Sequence, residues 1–250
     1  MGNFPWARAK KLFLFLVPAL ALATLPAWGD VIVSQQGATN PVLNGFTPEI
    51  VTSQGPVGST AWNIQGIWNV GYDFYSLSGA QITDLNTATN WAFTATFQNL
   101  SLNTTPEVSS WPGSYGSYAV VSVNDIRFDL GIHSDGSGDQ VLSVDPFASG
   151  PNYTISGLGT NYVTLEALYN NSTQTADIFV NGTEVISNYA GNNTSFIGNF
   201  VFIGGQDGTF SQVVLESNPS AVPEPGSLGL LATALGLVGW LHCRNLRVRG

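Results

Sequence analysis

Apolar and polar residues alternate with a period of two in segment after segment of residues 30–217. In WAFTATFQ, residues 91–98, every second side chain is apolar, and residues 125–132, 163–169 and 212–217 follow the same rule. A period of two places successive side chains on opposite sides of an extended strand, so each segment predicts a strand with one buried face. This alternation restricts the fold to the all-β class.

Turn signals separate these segments at fairly regular spacing. The clearest is Asn181-Gly182 within TADIFVNGTEVI, because both residues tolerate the positive φ angles of a type I′ hairpin. The stretches NPVLNG, GSGD, ASGPN and GGQDG mark further turns. The spacing indicates about a dozen strands and no long helix before the C-terminal tail. We therefore predict a two-sheet antiparallel β-sandwich of the jelly-roll type over residues 30–217.

The N-terminal end has the organisation of a secretory signal. Three basic residues precede an apolar run of 14 residues at 12–25, and an Ala-Trp-Gly tripeptide then offers small residues to a signal peptidase. We expect residues 1–29 to form a signal-peptide helix that is removed before Asp30. An uncleaved anchor is the alternative, but Pro18 interrupts a run that is already short for a bilayer span.

The C-terminal end combines a proline-rich motif, an apolar run and a basic cluster, in that order. The motif is Val222, Pro223, Glu224 and Pro225, and the cluster is Arg244, Arg247 and Arg249. The motif lies in a linker at 218–227, and the apolar run at 228–241 begins the tail of residues 228–250. We expect this tail to contain a short transmembrane helix with the arginines on the cytoplasmic side.

These C-terminal features, together with the signal peptide, resemble the PEP-CTERM sorting signal, over residues 222–249. The resemblance implies that signal peptidase and exosortase, a multi-spanning bacterial membrane protease, process the chain. It also implies transient anchoring in the inner membrane and delivery to the envelope, cell surface or extracellular matrix of a Gram-negative bacterium. A chance proline-rich linker before a tail anchor is the alternative. Members of this family differ widely in function, so the resemblance predicts a location rather than an activity.

The second half of the body carries another resemblance. A strand ending at Asn181-Gly182, a glycine-rich segment at 201–208 and a closing strand at 212–217 follow one another. This order resembles the C-terminal half of a concanavalin A-like or laminin-G-like jelly roll, over residues 160–217. A different jelly roll, such as a discoidin-like sandwich, is the alternative. The resemblance also favours a structural calcium ion.

Charge and cysteine content exclude several functions. Residues 30–220 contain 15 carboxylates and one basic residue, Arg127, so their formal charge is −14. A body without lysine cannot neutralise phosphates, which excludes nucleic-acid binding. The one cysteine, Cys243, lies in the tail, so the body has neither a disulfide nor a thiolate nucleophile. Such a body is suited to neutral sugars or divalent cations.

Few residues of the body could support catalysis. His133 is its sole histidine, and we expect it at the surface because it follows the apolar row of a strand. We expect Asp125, Arg127 and Asp129 on the solvent side of that strand, where Arg127 would keep both acids ionised, contrary to the need of a general acid. We therefore predict that the protein is not an enzyme. A glycan-active enzyme, which would need two converging carboxylates, is the alternative.

A glycine-rich turn, HSDGSGDQ, is a candidate calcium site. Asp135, Ser137 and Asp139 stand at alternate positions and offer the oxygen donors that calcium prefers. The closing glutamate of an EF-hand loop is missing. A solvated acidic turn without metal is the alternative.

An aromatic loop, SSWPGSYGSY, is a candidate carbohydrate site. Trp111, Tyr115 and Tyr118 are spaced by small residues, and exposed aromatic faces bind pyranose rings. Aromatic cover of the sandwich edge is the alternative. Trp91 and Phe93, by contrast, occupy strand-like runs and are expected in the core.

The sequence therefore predicts an exported, non-catalytic surface or matrix protein. It would contact extracellular polysaccharide through sugar or calcium contacts, and it would touch the membrane only transiently through its tail. A purely structural envelope protein without a ligand is a further alternative.

Overall fold

The computed structural model describes residues 29–48, 51, 53–65, 71–101, 116–145, 150–193 and 198–219. Within these ranges the chain forms sixteen strands, one α-helix and one 3₁₀ helix. The strands are β1 Asp30–Gln36, β2 Thr47–Pro48, β3 Ser53–Val57, β4 Ala61–Gln65, β5 Gly71–Ser76, β6 Asn90–Asn99, β7 Ser117–Val123, β8 Ile126–Ser134, β9 Gln140–Val144, β10 Asn152–Ile155, β11 Val163–Asn170, β12 Thr175–Val180, β13 Thr183–Tyr189, β14 Asn192–Asn193, β15 Phe200–Gly205 and β16 Asp207–Ser217. The α-helix, α1, is Gly79–Thr87, and the 3₁₀ helix is Pro41–Asn44.

The strands form two antiparallel sheets. The first sheet has the order β13-β12-β11-β6-β16-β4-β3, and β1 also pairs with β16. The second sheet has the order β10-β9-β8-β7-β15-β5-β2, and β14 also pairs with β8. Several neighbours, such as β6 and β16, are far apart in sequence, so the sheets are assembled largely by long-range pairing.

The inner sides of the two sheets meet in one hydrophobic core. Trp91 of the first sheet stacks on Tyr169 with 4.7 Å between ring centroids, and it meets Phe128 of the second sheet edge-on at 5.8 Å. Phe93 and Leu130 are fully buried in the same core. Burial of each such side chain contributes roughly 1.5–3 kcal/mol to stability. The predicted two-sheet antiparallel sandwich is thus confirmed, while its closer assignment as a jelly roll stays a prediction.

The alternating segments of the sequence fall on strands as expected. Residues 91–98 lie in β6, residues 163–169 in β11 and residues 212–217 in β16. The predicted hairpin joins β12 to β13 through Asn181 and Gly182, whose φ angles are 50° and 77°. Both angles lie in the left-handed region that a type I′ turn requires.

The sequence analysis did not predict a short helix that the structure contains. Helix α1 has nine residues and begins at Ser78, whose hydroxyl accepts from the Gln81 backbone N–H at 3.3 Å. The Gln81 side chain accepts in return from the Ser78 N–H at 2.7 Å, which completes a capping box. Leu85 alone is buried among its residues, so the helix has almost no apolar stripe. The S-x-x-Q spacing was the available sequence signal for this helix.

Strand β8 is buried on both sides, which contradicts the prediction of a solvated side. Arg127 and Asp129 are 8 % and 1 % exposed, and His133 is 7 % exposed instead of lying at the surface. On the neighbouring strand, Tyr118 and Val120 form a second buried apolar cluster with residues of β15. The alternation therefore located the inner side of the second sheet but did not reveal that its outer side is covered as well.

Several predictions lie outside the described residues. These are the helix within residues 1–29, most of the linker at 218–227 including Val222, Pro223, Glu224 and Pro225, and the tail of residues 228–250 with Arg244, Arg247 and Arg249. Within the described ranges, no helix has the length and apolar character needed to cross a membrane.

Candidate functional site

An open cleft of about 230 Å³ lies at one end of the sandwich. Its walls come from the last turn of α1, the β7–β8 turn and the β11–β12 turn, and its floor from β6 and β11. The lining residues are Asn86, Trp91, Val123, Asn124, Ile126, Tyr169, Asn171 and Gln174. They comprise four amides, two aromatic and two aliphatic side chains, so none of them carries a charge.

Left-handed backbone conformations create two of the three walls. Asn124 and Asp125 have φ angles of 52° and 62° and form a two-residue turn between the paired residues Val123 and Ile126. Asparagine and aspartate tolerate this region better than other residues with a side chain. In the β11–β12 turn, Gln174 has a φ angle of 58°. Both turns therefore hold amide side chains at the rim of the cleft.

Amide side chains also tie the three walls together. Asn124 Nδ2 donates to Asn86 Oδ1 on α1, and Asn171 Nδ2 donates to the Leu85 carbonyl oxygen at 3.0 Å and to the Ala88 carbonyl oxygen. Among the described residues, nothing bonds to Asn86 Nδ2, Asn124 Oδ1 or Asn171 Oδ1. The walls are therefore held in place while one half of each amide remains available to a ligand.

The floor of the cleft consists of two aromatic side chains with polar atoms. Trp91 and Tyr169 are only 1 % and 4 % exposed. Neither Trp91 Nε1 nor the Tyr169 hydroxyl makes a hydrogen bond within the described part of the chain, and neither atom is fully enclosed, so both are open to the solvent in the cleft. Burial raises the pKa of Tyr169, which keeps this hydroxyl protonated and able to donate. The floor thus offers two hydrogen-bond donors.

The chemistry of the cleft suits an uncharged ligand rich in hydroxyl groups. Free amide oxygens accept from hydroxyl groups, and free amide N–H groups, the indole and the phenol donate to them. Val123 and Ile126 add apolar contact surface. A charged ligand would find no opposite charge among the lining residues.

A second group of polar residues is enclosed within the second sheet. Asp129 and Asp145 are 1 % and 0 % exposed, and Asp145 Oδ1 accepts from the Asp129 N–H at 2.7 Å. The Asp145 N–H donates in return to the Asp129 carbonyl oxygen at 3.0 Å. Arg127 Nη2 lies 2.9 Å from Asp129 Oδ2. We call Arg127, Asp129 and Asp145 the acid cluster.

The acid cluster fills a gap in strand pairing. Strand β8 pairs with β9 from Leu130 onwards and with β14 at Ile126 and Arg127, so its neighbour changes at Asp129. The Asp145 carboxylate occupies this position and satisfies the Asp129 N–H, which would otherwise be a buried donor without a strand partner. The cluster is therefore part of the framework of the sheet.

Burial is the main cause of the pKa shifts in the acid cluster. It raises the pKa of Asp129 to about 6, even though Arg127 lowers it. Burial and the charge of Asp129 raise the pKa of Asp145 well above its ordinary value. Burial and the charge of Asp145 raise the pKa of Tyr189. Each of the two carboxyl groups therefore stays protonated up to a higher pH than an exposed acid does.

The candidate calcium turn connects β8 to β9 and is largely exposed. Asp135 Oδ1 accepts from the Ser137 N–H at 2.7 Å and the Asp139 N–H at 3.1 Å, and Asp135 Oδ2 accepts from the Ser137 hydroxyl at 2.6 Å. Asp139 Oδ1 accepts from the Gly157 N–H at 2.7 Å. These oxygens thus stabilise the turn itself. Across the described residues, no three His, Cys, Asp or Glu side chains form a group suited to a metal ion. Calcium binding here stays a prediction.

The candidate aromatic loop falls largely outside the described residues, because Trp111 and Tyr115 lie in the undescribed range 102–115. Tyr118 lies on β7, is 1 % exposed and stacks on Phe202 with 5.1 Å between ring centroids. Its predicted place in an exposed loop is therefore wrong, since its ring is covered by the sheet and its neighbours.

Sequence reasoning missed the cleft because its residues are widely separated along the chain. Trp91 was expected in the core, which is correct, but its indole also lines the cleft. The Asn124-Asp125 pair between two alternating segments was a recognisable two-residue turn signal. No local pattern joined Asn124 to Asn86 or Gln174.

No family model matches the sequence, and no curated protein matches it significantly. Many solved structures are weakly similar, among them the following three. Botulinum neurotoxin type C, whose cell entry is dependent upon interaction with two ganglioside molecules, is 11 % identical with a TM-score of 0.42, covering 82 % of this chain and 51 % of that chain. Trypanosoma rangeli sialidase in complex with sialic acid is 13 % identical with a TM-score of 0.46, covering 76 % and 31 %. Ruminococcus gnavus IT-sialidase CBM40 bound to alpha2,3 sialyllactose is 11 % identical with a TM-score of 0.42, covering 78 % and 96 %. The protein thus spans about half of the neurotoxin chain and a third of the trypanosomal sialidase chain, and likenesses of this strength identify no function.

Proposed function

We propose that the protein is an exported, non-catalytic β-sandwich that binds an uncharged glycan in the cleft formed by α1 and the β7–β8 and β11–β12 turns. One observation carries the proposal. Trp91 Nε1 and the Tyr169 hydroxyl belong to side chains that are at least 96 % buried and line the cleft, yet the described chain gives them no hydrogen-bond partner. Both atoms are open to solvent in the cleft, so hydroxyl groups of a bound sugar would replace water as their hydrogen-bond acceptors.

The charge of the body supports an uncharged ligand. Residues 30–220 have a formal charge of −14, so an anionic polysaccharide would be repelled, and no lining residue of the cleft offers a compensating cation. A neutral glycan meets neither obstacle.

Export and sorting complete the proposal. The resemblance of residues 222–249 to a PEP-CTERM signal supports processing by signal peptidase and exosortase and delivery to the cell surface or extracellular matrix. In that setting the cleft would attach the protein to a polysaccharide-rich layer.

Removal of a single hydroxyl from the cleft tests the proposal. The purified chain is screened on an array of neutral and anionic glycans, and the affinity for a bound neutral glycan is measured by calorimetry. Tyr169→Phe removes the hydroxyl without changing the ring, so we expect about a tenfold loss of affinity with little change in stability. Tyr153→Phe, at a tyrosine that is 38 % exposed, is the matched control and should bind like the wild type.

Two results would contradict the proposal. Equal affinities of Tyr169→Phe and wild type would remove the cleft as the site. Release of new reducing ends from a bound glycan would favour the glycan-active enzyme instead.

A further inference from the structure

We infer that the cleft receives a single uncharged sugar ring, at the end or at a side branch of a glycan, and not a run of consecutive rings. This inference rests on the proposed function. It is carried by the size of the cleft, the fixed walls around it and the distribution of its polar atoms.

The cleft has the size of one sugar unit. Its volume of about 230 Å³ lies below the roughly 300 Å³ at which pockets for drug-sized ligands begin. A volume of this size matches one pyranose ring with its hydroxyl groups better than two linked rings.

Hydrogen bonds connect the walls and oppose their separation around a longer segment. The β7–β8 turn is bonded to α1 through Asn124 and Asn86, and the Asn124 N–H donates to Asn199 Oδ1 at 2.6 Å. The β11–β12 turn is bonded to α1 through Asn171. A wider cleft would require these hydrogen bonds to break, which favours the extension of further sugar units into solvent.

The polar atoms of the cleft are arranged at two depths. The indole and phenol of Trp91 and Tyr169 lie at the floor, while the amides of Asn86, Asn124 and Gln174 are on exposed residues at the rim. Gln174 Nε2 donates to the Asn171 carbonyl oxygen at 2.6 Å, which leaves Gln174 Oε1 without a bond from the described residues. Floor and rim together surround the hydroxyl groups of one ring from several sides.

The absence of charge in the lining restricts the sugar further. A carboxylate on a uronic or sialic acid would enter without a cation to pair it, and desolvation of an unpaired charge is costly. We therefore expect neutral hexoses or pentoses, and rejection of their acidic counterparts.

The test compares affinity with the length of the ligand. The full chain is titrated by calorimetry with glucose, mannose and their β-1,4-linked oligosaccharides up to the hexasaccharide, and with lactose against sialyllactose. If the cleft recognises one ring, the dissociation constant should change by no more than about twofold from one unit to six, in whichever of the glucose and mannose series binds more tightly. Tightening by more than about tenfold along the series would overturn the inference.

Variants separate the failure of this inference from the failure of the proposed function. Tyr169→Phe should weaken the binding of the monosaccharide and of the hexasaccharide by the same factor. Gln174→Ala should do the same with only a small change in stability, because the one hydrogen bond that its side chain makes, to the Asn171 carbonyl, is exposed. If affinity rises with length but Tyr169→Phe still abolishes binding, only the single-ring inference is wrong. If Tyr169→Phe leaves the hexasaccharide affinity unchanged, or if no neutral glycan binds at all, both are wrong.

Discussion

The cleft and the acid cluster are the two places in this sandwich where polar side chains gather, and they differ in almost every respect. The cleft is uncharged and open, and Trp91 Nε1 and the Tyr169 hydroxyl have no partner within the described chain. The acid cluster is charged and enclosed, and Asp145 and Arg127 both act on Asp129. Enclosed polar groups that bond to one another serve the fold, whereas donors that open onto a cleft are available to a ligand. Substitutions in one region should therefore change stability, and those in the other should change binding.

The largest effect is expected at Arg127. Arg127→Ala leaves the Asp129 carboxylate buried without its counter-charge, and loss of one partner of a buried pair costs about 3 kcal/mol or more. Chemical unfolding at pH 8 measures the loss. The loss should be smaller at pH 5, where Asp129 is protonated. Arg127→Lys, which keeps the charge, should lose less, and an equal loss at both pH values would show that the pairing is not the cause.

The pH dependence of stability should distinguish the acid cluster from ordinary surface acids. The folded-state pKa of Asp129, about 6, exceeds the unfolded value of about 3.9. Its contribution to stability is therefore fully present below pH 4 and is lost as the pH rises through 6. Asp145→Asn keeps the Oδ1 acceptor but removes the second acid, so it should be about 1 kcal/mol more stable than wild type at pH 8. It should also flatten the dependence between pH 4 and 7; an unchanged slope in unfolding titrations would contradict this account.

At the exposed turn, Asp135 should change stability less than Asp129 does, and with the opposite dependence on pH. Hydrogen bonds from the Ser137 side chain and backbone hold the pKa of Asp135 below its ordinary value. Its contribution is therefore present at neutral pH and is lost as the pH falls through the lowered folded-state pKa. We expect Asp135→Asn to lower the melting temperature slightly at pH 7, equally with calcium and with EDTA. A rise in the wild-type melting temperature with calcium, abolished in this variant, would instead establish the predicted metal site.

Much of the sandwich could be predicted because strands leave a local signature. The buried row of β6 and the type I′ turn at Asn181-Gly182 both follow from residues that are neighbours in sequence. Helix α1 was missed because it buries only Leu85 and so has no apolar stripe, although Ser78 and Gln81 formed a capping box. The burial of His133 was not predictable, because a period of two looks the same whether the second side of a strand meets water or protein.

The sequence by itself determined the strand periodicity, the turn positions, the charge of −14 over residues 30–220 and the resemblance of its ends to sorting signals. Only the tertiary structure decided which polar side chains meet. Asn86 and Asn124 are 38 residues apart, and Asp129 and Asp145 are 16 residues apart. Strands distant along the chain pair because their apolar sides complement each other in one core. No local propensity encodes this long-range packing. It brings the turns together as a cleft and encloses the acids.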